Sequence, residues 1–357
     1  MTAPQALISR DVSLSRLRLA PVMVSWLGYF ATTGLPCMDA VVLDEWHAPA
    51  EVEPQFVESI LRLPSGRFCY RPAPWAPETV SPVPSAKNGY VTFGSFNNTA
   101  KLNDGLLDIW AQVLLATPDS RLVLKWRTFN DEGMRQKVSQ AFLNRGVRAE
   151  RIECRGPSFH ADMLQEYADI DIALDPFPFT GGLTSCEALW MGVPVITWPQ
   201  SRVVSRQTLA ILRQIRLPEL VAQDAQDYVR IATELAGDAK RLQQMRETLR
   251  ERMRQSPLMD AQTFTHEWET ALRSLYADQH AKQSDSERHL SSQEARPMPT
   301  IKINDKEYDT EQLTAQAKVQ LEMLLATEQE IQRLQTQLAI AQTARNMYAQ
   351  ALAQAVV

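Results

Sequence analysis

From Tyr90 to Ile215 the chain alternates short β-type runs with helical stretches, and no other feature of it restricts the fold as strongly. Tyr90–Phe96, Arg121–Lys125, Arg151–Cys154, Asp171–Asp175 and Val195–Trp198 read as strands. Asp104–Ala116, Asp131–Arg145, Ala161–Ala168, Leu183–Met191 and Val204–Ile215 read as helices, the first with apolar Leu106, Leu107, Ile109, Trp110, Val113 and Leu114. Parallel strands need a crossover between them, and a helix is the usual one. The alternation therefore predicts an α/β fold with a parallel, doubly wound sheet. Three more helices, Ala225–Ala236, Ala239–Arg254 and Gln262–Tyr276, are expected to pack outside the sheet or cross back to an earlier domain.

Ahead of this region Val22–Trp26 and Ala40–Leu43 read as buried strands, joined by the loop Gly28–Pro36. That loop has the turn residues of a functional loop and equally those of a plain surface connection. Glu51–Ser65 reads as a helical stretch and turn. Pro72, Pro74, Pro77, Pro82 and Pro84 then preclude a helix or central strand, so this segment is an extended connector and a domain boundary. The expected division is 1–84, 85–279, a polar linker at 280–299, and a small domain at 300–357. In the last, Ile301–Tyr308 suggests a hairpin and a long helix starts near Thr310. Its residues Ile331, Leu334, Leu338, Ala341, Tyr348 and Leu352 form a helical seam, which would serve self-association or partner docking, or pack on Leu313–Leu325.

Charge and cysteine usage exclude several classes. With 37 basic against 42 acidic residues the net charge is −5, which argues against nucleic acid as a partner. Cys37, Cys69, Cys154 and Cys186 show no C-x-x-C spacing, so no metal site is expected and a reducing cytoplasm fits. No apolar run is long enough to span a bilayer, so no membrane association is expected. Leu19–Thr32 is the only signal-like stretch, but Asp11 precedes it and Pro21 interrupts it.

Three local features point to one ligand chemistry. Asp171–Trp198 is a strand, a Gly181-Gly182 turn, a helix and a second strand, which leaves backbone N–H groups at a helix N-terminus for an anion. The hydroxyls of Thr184 and Ser185 would add to them, or the turn is simply a helix start. Gly94–Lys101 follows the end of a strand, where Lys101 and the amide of Asn98 could hold phosphate oxygens or Lys101 could be solvated. Glu187 lies within a turn of the helix start, placed either for ribose hydroxyls or for the helix dipole. His160, the only histidine of the regular α/β part, contacts a base or caps its helix. No Ser-His-Asp order or Walker lysine appears, and no G-x-G-x-x-G follows a first strand, which disfavours a nicotinamide dehydrogenase.

The stretches VSWLGYFATTGLPCMDAVVLDE (24–45), GYVTFGSFNNTAKLNDGLLDIWAQVLLATPDSRLVLK (89–125) and HADMLQEYADIDIALDPFPFTGGLTSCEALWMGVPVIT (160–197) resemble the catalytic region of protein O-linked N-acetylglucosamine transferases, above all the SPINDLY branch and bacterial relatives. The resemblance runs from about Pro21 to Tyr276. It implies a glycosyltransferase B-type fold with a complete C-terminal Rossmann-like domain, a truncated N-terminal one and a helical tail. It implies inverting transfer of a sugar from a nucleoside diphosphate to Ser or Thr of an acceptor protein, with the nucleotide sugar as substrate and no cofactor. UDP-GlcNAc is the first donor so implied, and GDP-fucose the alternative. By the same resemblance Lys101 neutralises the leaving diphosphate, Asn98 is a phosphate contact, Thr184 a helix-start threonine, Glu187 the ribose residue, and His160 falls in the segment facing the base. Gly182 and Leu183 stand where better-known members carry His-Thr or Thr-Thr, so backbone replaces side chain there. About twenty residues precede the Trp-Leu-Gly-Tyr motif, which implies an incomplete acceptor half and leaves a non-catalytic nucleotide-sugar-binding or scaffold protein as the competing expectation. The tail from Thr300 resembles a small bacterial domain without assigned chemistry.

Overall fold

The computed structural model describes residues 20–28, 30–292, 301–303 and 306–308, with isolated positions at 314, 317, 324 and 327. The chain divides into two compact units, residues 1–281 and 282–357.

The first unit holds two parallel sheets. The smaller has strands β1 (Val24–Ser25), β2 (Ala40–Leu43) and β3 (Ser59–Arg62) in that spatial order. Strand β2 is buried along its whole length, as its Ala-Val-Val-Leu sequence demands between two neighbours. Strand β3 corrects the expectation for Glu51–Ser65. Only Ala50–Gln55 is helical, as a short 3-10 segment containing Pro54, and Ser59–Arg62 pairs with β2 through backbone groups that no local pattern announced.

After the proline-rich connector comes a single helical turn, α1 (Ser85–Asn88), and then the regular alternation. It runs β4 (Thr92–Ser95), α2 (Asp104–Ala116), β5 (Arg121–Lys125), α3 (Glu132–Leu143), β6 (Ile152–Arg155), α4 (His160–Gln165), β7 (Ile172–Leu174), α5 (Leu183–Trp190), β8 (Val195–Ile196) and α6 (Gln207–Gln214). Helices α7 (Ala225–Gly237), α8 (Ala239–Arg254) and α9 (Ala261–Ser292) follow. The five strands are all parallel, in the order β6-β5-β4-β7-β8. Chain order thus starts at the centre, moves one way to β6, then reverses to β7 and β8. The reversal lies between β4 and β7, so the loops leaving these two strands part and leave a crevice.

The helices begin where the sequence offers caps. Asn103, Asp131, Asp224 and Asp238 each accept a first-turn backbone N–H with a side-chain oxygen. One apolar core joins the sheet to α2, α5, α7 and α8, with Phe93, Trp110, Leu122, Ile172, Leu189, Tyr228 and Leu249 all buried within it. Proline lacks the N–H that a sheet ladder needs, so the connector stays outside the sheets and two arginines of α8 take its carbonyls instead. Arg250 donates to the carbonyls of Pro77 (3.0 Å) and Glu78 (2.6 Å), and Arg246 donates to that of Ser81 (3.0 Å). Burial holds the Arg246 guanidinium down to about 10.

Helix α9 continues through residues 280–292, the first part of the stretch expected as a linker. Its Gln, Lys, Ser and Glu residues are poor in apolar surface, yet most of them propagate a helix that has already been nucleated. In the second unit β9 (Ile301–Ile303) and β10 (Lys306–Tyr308) pair antiparallel, the expected hairpin. The long helix expected from Thr310, with its seam, lies outside the described residues. Among the described residues no helix is long and apolar enough to cross a membrane.

Candidate active site at the strand-order reversal

The crevice between β4 and β7 gathers most of the residues singled out above. At the β4 side, Asn98 opens a short 3-10 turn, Thr99–Lys101, by accepting the Ala100 N–H at 3.0 Å. The carboxamide oxygen of Asn98 is thereby spent on local structure. The turn carries Lys101 back over the crevice, where its ammonium donates to Asn97 Oδ1 (2.9 Å) and to the Thr180 carbonyl (3.0 Å). It also lies 4.6 Å from the centre of the Phe179 ring. Burial lowers the ammonium below its usual range, and the Asp175 charge opposes that shift. Among the described residues no carboxylate forms an ion pair with Lys101 within 4.0 Å. A half-buried cation held only by neutral oxygens and a ring face is one that an anion can recruit.

At the β7 side, Asp175 shapes the glycine turn. It is 2% exposed, and its carboxylate accepts the Gly181 N–H and the Thr197 hydroxyl, each at 2.6 Å. Burial raises its carboxyl above the usual range, and the two hydrogen bonds offset part of that. A Cβ on Gly181 would collide with Ser185 Oγ and come within 3.0 Å of both Asp175 Oδ1 and Thr184 Oγ1, so this position takes only glycine. Gly182 is the N-cap of α5 and brings no side-chain cap; the Ser185 N–H turns back to the Gly182 carbonyl at 3.1 Å, which leaves the N–H groups of Leu183 and Thr184 for a ligand.

Asn97 closes the gap between the two sides. Its Oδ1 accepts from Lys101 and from the Thr184 hydroxyl (3.2 Å). The sequence did not single it out, because nothing local separates Asn97 from Asn98; the signal is that the neighbouring asparagine is the better turn cap. Ser185 turns the other way. It is 3% exposed and its hydroxyl meets Thr208 Oγ1 at 2.9 Å, tying α5 to α6 behind the turn. Asp175 was also unmarked, although a carboxylate leaving a buried strand before a glycine turn was the available signal.

Glu187 follows Thr184 by three residues and so shares its helix face, about 4.5 Å further along the axis. It is 4% exposed, and His160 Nε2 lies 2.7 Å from its Oε1. Burial pushes the Glu187 carboxyl upward, and the His160 hydrogen bond opposes it. His160 opens α4 after the loop at 156–159. That loop is pinned by Lys125, which donates to the Gly156 carbonyl (2.9 Å) and pairs with Glu166 (2.6 Å), while Ser158 Oγ donates to Glu166 (2.8 Å). From the connector, Trp75 Nε1 donates to His160 Nδ1 at 2.9 Å.

The small sheet reaches the same place. Phe30, in the loop after β1, meets the edge of Phe179 at 5.8 Å, and Arg206 donates to the Trp46 carbonyl at 2.6 Å. The loop with Thr32 and Thr33 is shaped by Glu58, which accepts the Thr32 hydroxyl (2.6 Å) and the Thr33 N–H (2.7 Å). Lysine, glycine turn, uncapped helix start and buried carboxylate are therefore joined in one line of contacts, from the small-sheet loop to the mouth of α4. The line suits an elongated ligand with a diphosphate near Lys101 and hydroxyls near Glu187. No group of His, Cys, Asp and Glu arranged to hold a metal ion occurs among the described residues.

Comparison with known proteins bears on the fold and the family. The chain is 40% identical over 269 residues to the probable UDP-N-acetylglucosamine–peptide N-acetylglucosaminyltransferase SPINDLY of Petunia hybrida, a match covering 75% of this chain and 29% of that protein. It is likewise 40% identical over 261 residues to the protein of the same description from Oryza sativa subsp. japonica, covering 72% and 28%. The chain thus spans less than a third of the length of these relatives. Among solved structures, a mutant of the Thermobaculum terrenum O-GlcNAc transferase superposes with a TM-score of 0.68 at 36% identity, over 73% of this chain and 49% of that one. That likeness places the parallel-sheet α/β fold in the glycosyltransferase B type. Residues 84–268 match the model of glycosyl transferase family 41, the span that contains the strand-order reversal, Lys101 and Glu187, and the chain belongs to that family.

Proposed function

We propose that this chain carries the donor site of a glycosyltransferase that moves a sugar from a nucleoside diphosphate to a Ser or Thr hydroxyl of a protein. N-acetylglucosamine from UDP-GlcNAc is the first choice of donor, and fucose from GDP-fucose the alternative. The observation that carries the reading is Lys101, a half-buried ammonium at the strand-order reversal with neutral partners and the α5 N-terminus across from it. In such a transfer the bond from the sugar C1 to the diphosphate breaks as the acceptor oxygen bonds C1. Negative charge then grows on the leaving diphosphate. Lys101 and the start of α5 are already in place to take that charge, so little reorganisation is needed as it develops. The Thr184 hydroxyl, which donates to Asn97 in the structure, would turn its proton to the diphosphate as a neutral donor, and Glu187 would accept from the ribose. We take residues 85–279 as the donor-binding domain and the loop carrying Phe30, Thr32 and Thr33 as the wall facing the acceptor. A cytoplasmic setting suits the thiols of Cys69, Cys154 and Cys186.

The test is calorimetric titration with UDP and GDP, followed by donor-hydrolysis and transfer assays with Lys101→Ala as control. Submillimolar binding of one nucleotide is expected, with turnover that falls by about a hundredfold or more in the variant. Binding without turnover would reduce the chain to a donor-binding protein. Failure to bind either nucleotide would remove the proposal altogether.

A further inference from the structure

His160 has both ring nitrogens engaged, and the partners dictate which one carries the proton. The Trp75 indole is a donor only, so the Nδ1 that receives its N–H at 2.9 Å must present a lone pair. The single proton of the neutral ring then sits on Nε2, which lies 2.7 Å from Glu187 Oε1 and donates to it. Trp75 also stands edge-on to the imidazole, with ring centres 5.8 Å apart, so the ring can neither turn nor exchange its tautomer without losing both contacts. This pairing leaves no nitrogen of His160 for a nucleobase. It acts instead on Glu187, one of whose carboxylate oxygens is tethered while the helix face it shares with Thr184 looks along the ligand line.

A tether matters here because a glutamate has three rotatable bonds and its carboxyl is costly to keep ionised at 4% exposure. A buried carboxyl left to itself would take up a proton or turn toward solvent, and in either case would be a poor acceptor for a pair of hydroxyls. The indole and imidazole come from two different segments. Trp75 belongs to the connector that α8 holds by its carbonyls, and His160 to the start of α4 behind its pinned loop. Both segments are anchored by contacts other than the one they share.

We propose that His160, held in its Nε2–H tautomer by Trp75, is a positioning residue that orients Glu187 to accept the two hydroxyls of a ribonucleotide's ribose. The inference rests on the nucleotide-sugar reading above. It makes the chain selective for ribonucleotides through a residue that touches no part of the ligand.

The experiment is calorimetric titration of the full chain with UDP and GDP and with their 2′,3′-dideoxy analogues. The chains compared are the unsubstituted one, His160→Ala, His160→Gln and Trp75→Phe. The unsubstituted chain should favour the ribose form by about a hundredfold or more, the worth of a pair of hydrogen bonds to a carboxylate. His160→Ala should bring that ratio to within about threefold of unity while dideoxy binding stays level. His160→Gln, which restores an N–H donor, should recover most of it, and Trp75→Phe, which keeps the ring and removes the N–H, should fall between. The inference is overturned if His160→Ala keeps the full ratio or weakens both forms equally, as a merely structural residue would. Should His160→Ala not fold, Trp75→Phe on the exposed connector decides alone, and an unchanged ratio there rejects the tautomer lock. Equal binding of both forms by the unsubstituted chain overturns the inference and leaves the donor-site reading standing; binding of neither nucleotide overturns both.

Discussion

Removal of the Asp175 carboxylate should cost more than any other single change near the site. In Asp175→Ala the Gly181 N–H and the Thr197 hydroxyl, both buried and each 2.6 Å from the carboxylate, lose their acceptor. Hydrogen bonds to a charged acceptor contribute about 1.5–3 kcal/mol each. Part of that returns, because burial already disfavours the ionised carboxylate and raises its pKa. A net loss of about 3 kcal/mol remains. For a folded unit of this size that corresponds to a fall in Tm of roughly 5 °C. Asp175→Asn keeps an acceptor for Gly181 and a group that can donate to the Thr197 oxygen, so it should lose only about 1 kcal/mol. The Tyr228 hydroxyl bonds to the Asp175 backbone carbonyl at 3.1 Å and is untouched by either change. Urea unfolding followed by tryptophan fluorescence measures both variants. Equal stability of the alanine and asparagine variants, or a loss for alanine below about 0.5 kcal/mol, would show that Asp175 does not hold the glycine turn.

Other consequences follow from the same geometry. Gly181→Ala must displace Ser185 or Asp175, so nucleotide binding should weaken by about tenfold or more even if the protein folds, as calorimetry would show. Phe179→Leu removes the ring under the Lys101 ammonium and should weaken diphosphate binding by about two- to fivefold, the worth of a partly exposed cation–π contact. Burial lifts the folded-state pKa of Glu187 above its unfolded value of 4.5, so the folded protein holds that proton more tightly than the unfolded chain. The stability this contributes is present below pH 4.5 and is lost as pH rises through the folded value; Glu187→Gln should flatten that decline in melting scans while weakening ribonucleotide binding. Arg250→Ala frees the carbonyls of Pro77 and Glu78 and uncovers the Trp190 ring 4.8 Å away, with an expected loss of about 2–4 kcal/mol in denaturant unfolding.

Sequence alone determined the alternation, and with it the parallel α/β class, because apolar periodicity and helix caps are local properties. Helices α2 and α8 occupy the stretches their patterns define, to the residue at both ends. The glycine turn, Lys101 and Glu187 were equally legible, since a turn before a helix and a charge after a strand are short-range signals. Strand β3 was not, because Ser-Ile-Leu-Arg acquires its extended form by pairing with β2 some twenty positions earlier.

Tertiary structure alone decided which of these signals meet. Lys101 reaches the Thr180 carbonyl across 79 positions, Asn97 meets Thr184 across 87, and Trp75 meets His160 across 85. The first two contacts depend on β4 and β7 lying side by side at the reversal of strand order, and the third on where the connector crosses the start of α4; hydrophobic pattern carries no information about either. Choices between near-equivalent residues were settled there too. Asn98 caps a turn while Asn97 faces the crevice, and Thr184 looks in while Ser185 looks back toward α6. The side of an element that faces a ligand is set by what packs on its other side, and that neighbour is remote in sequence.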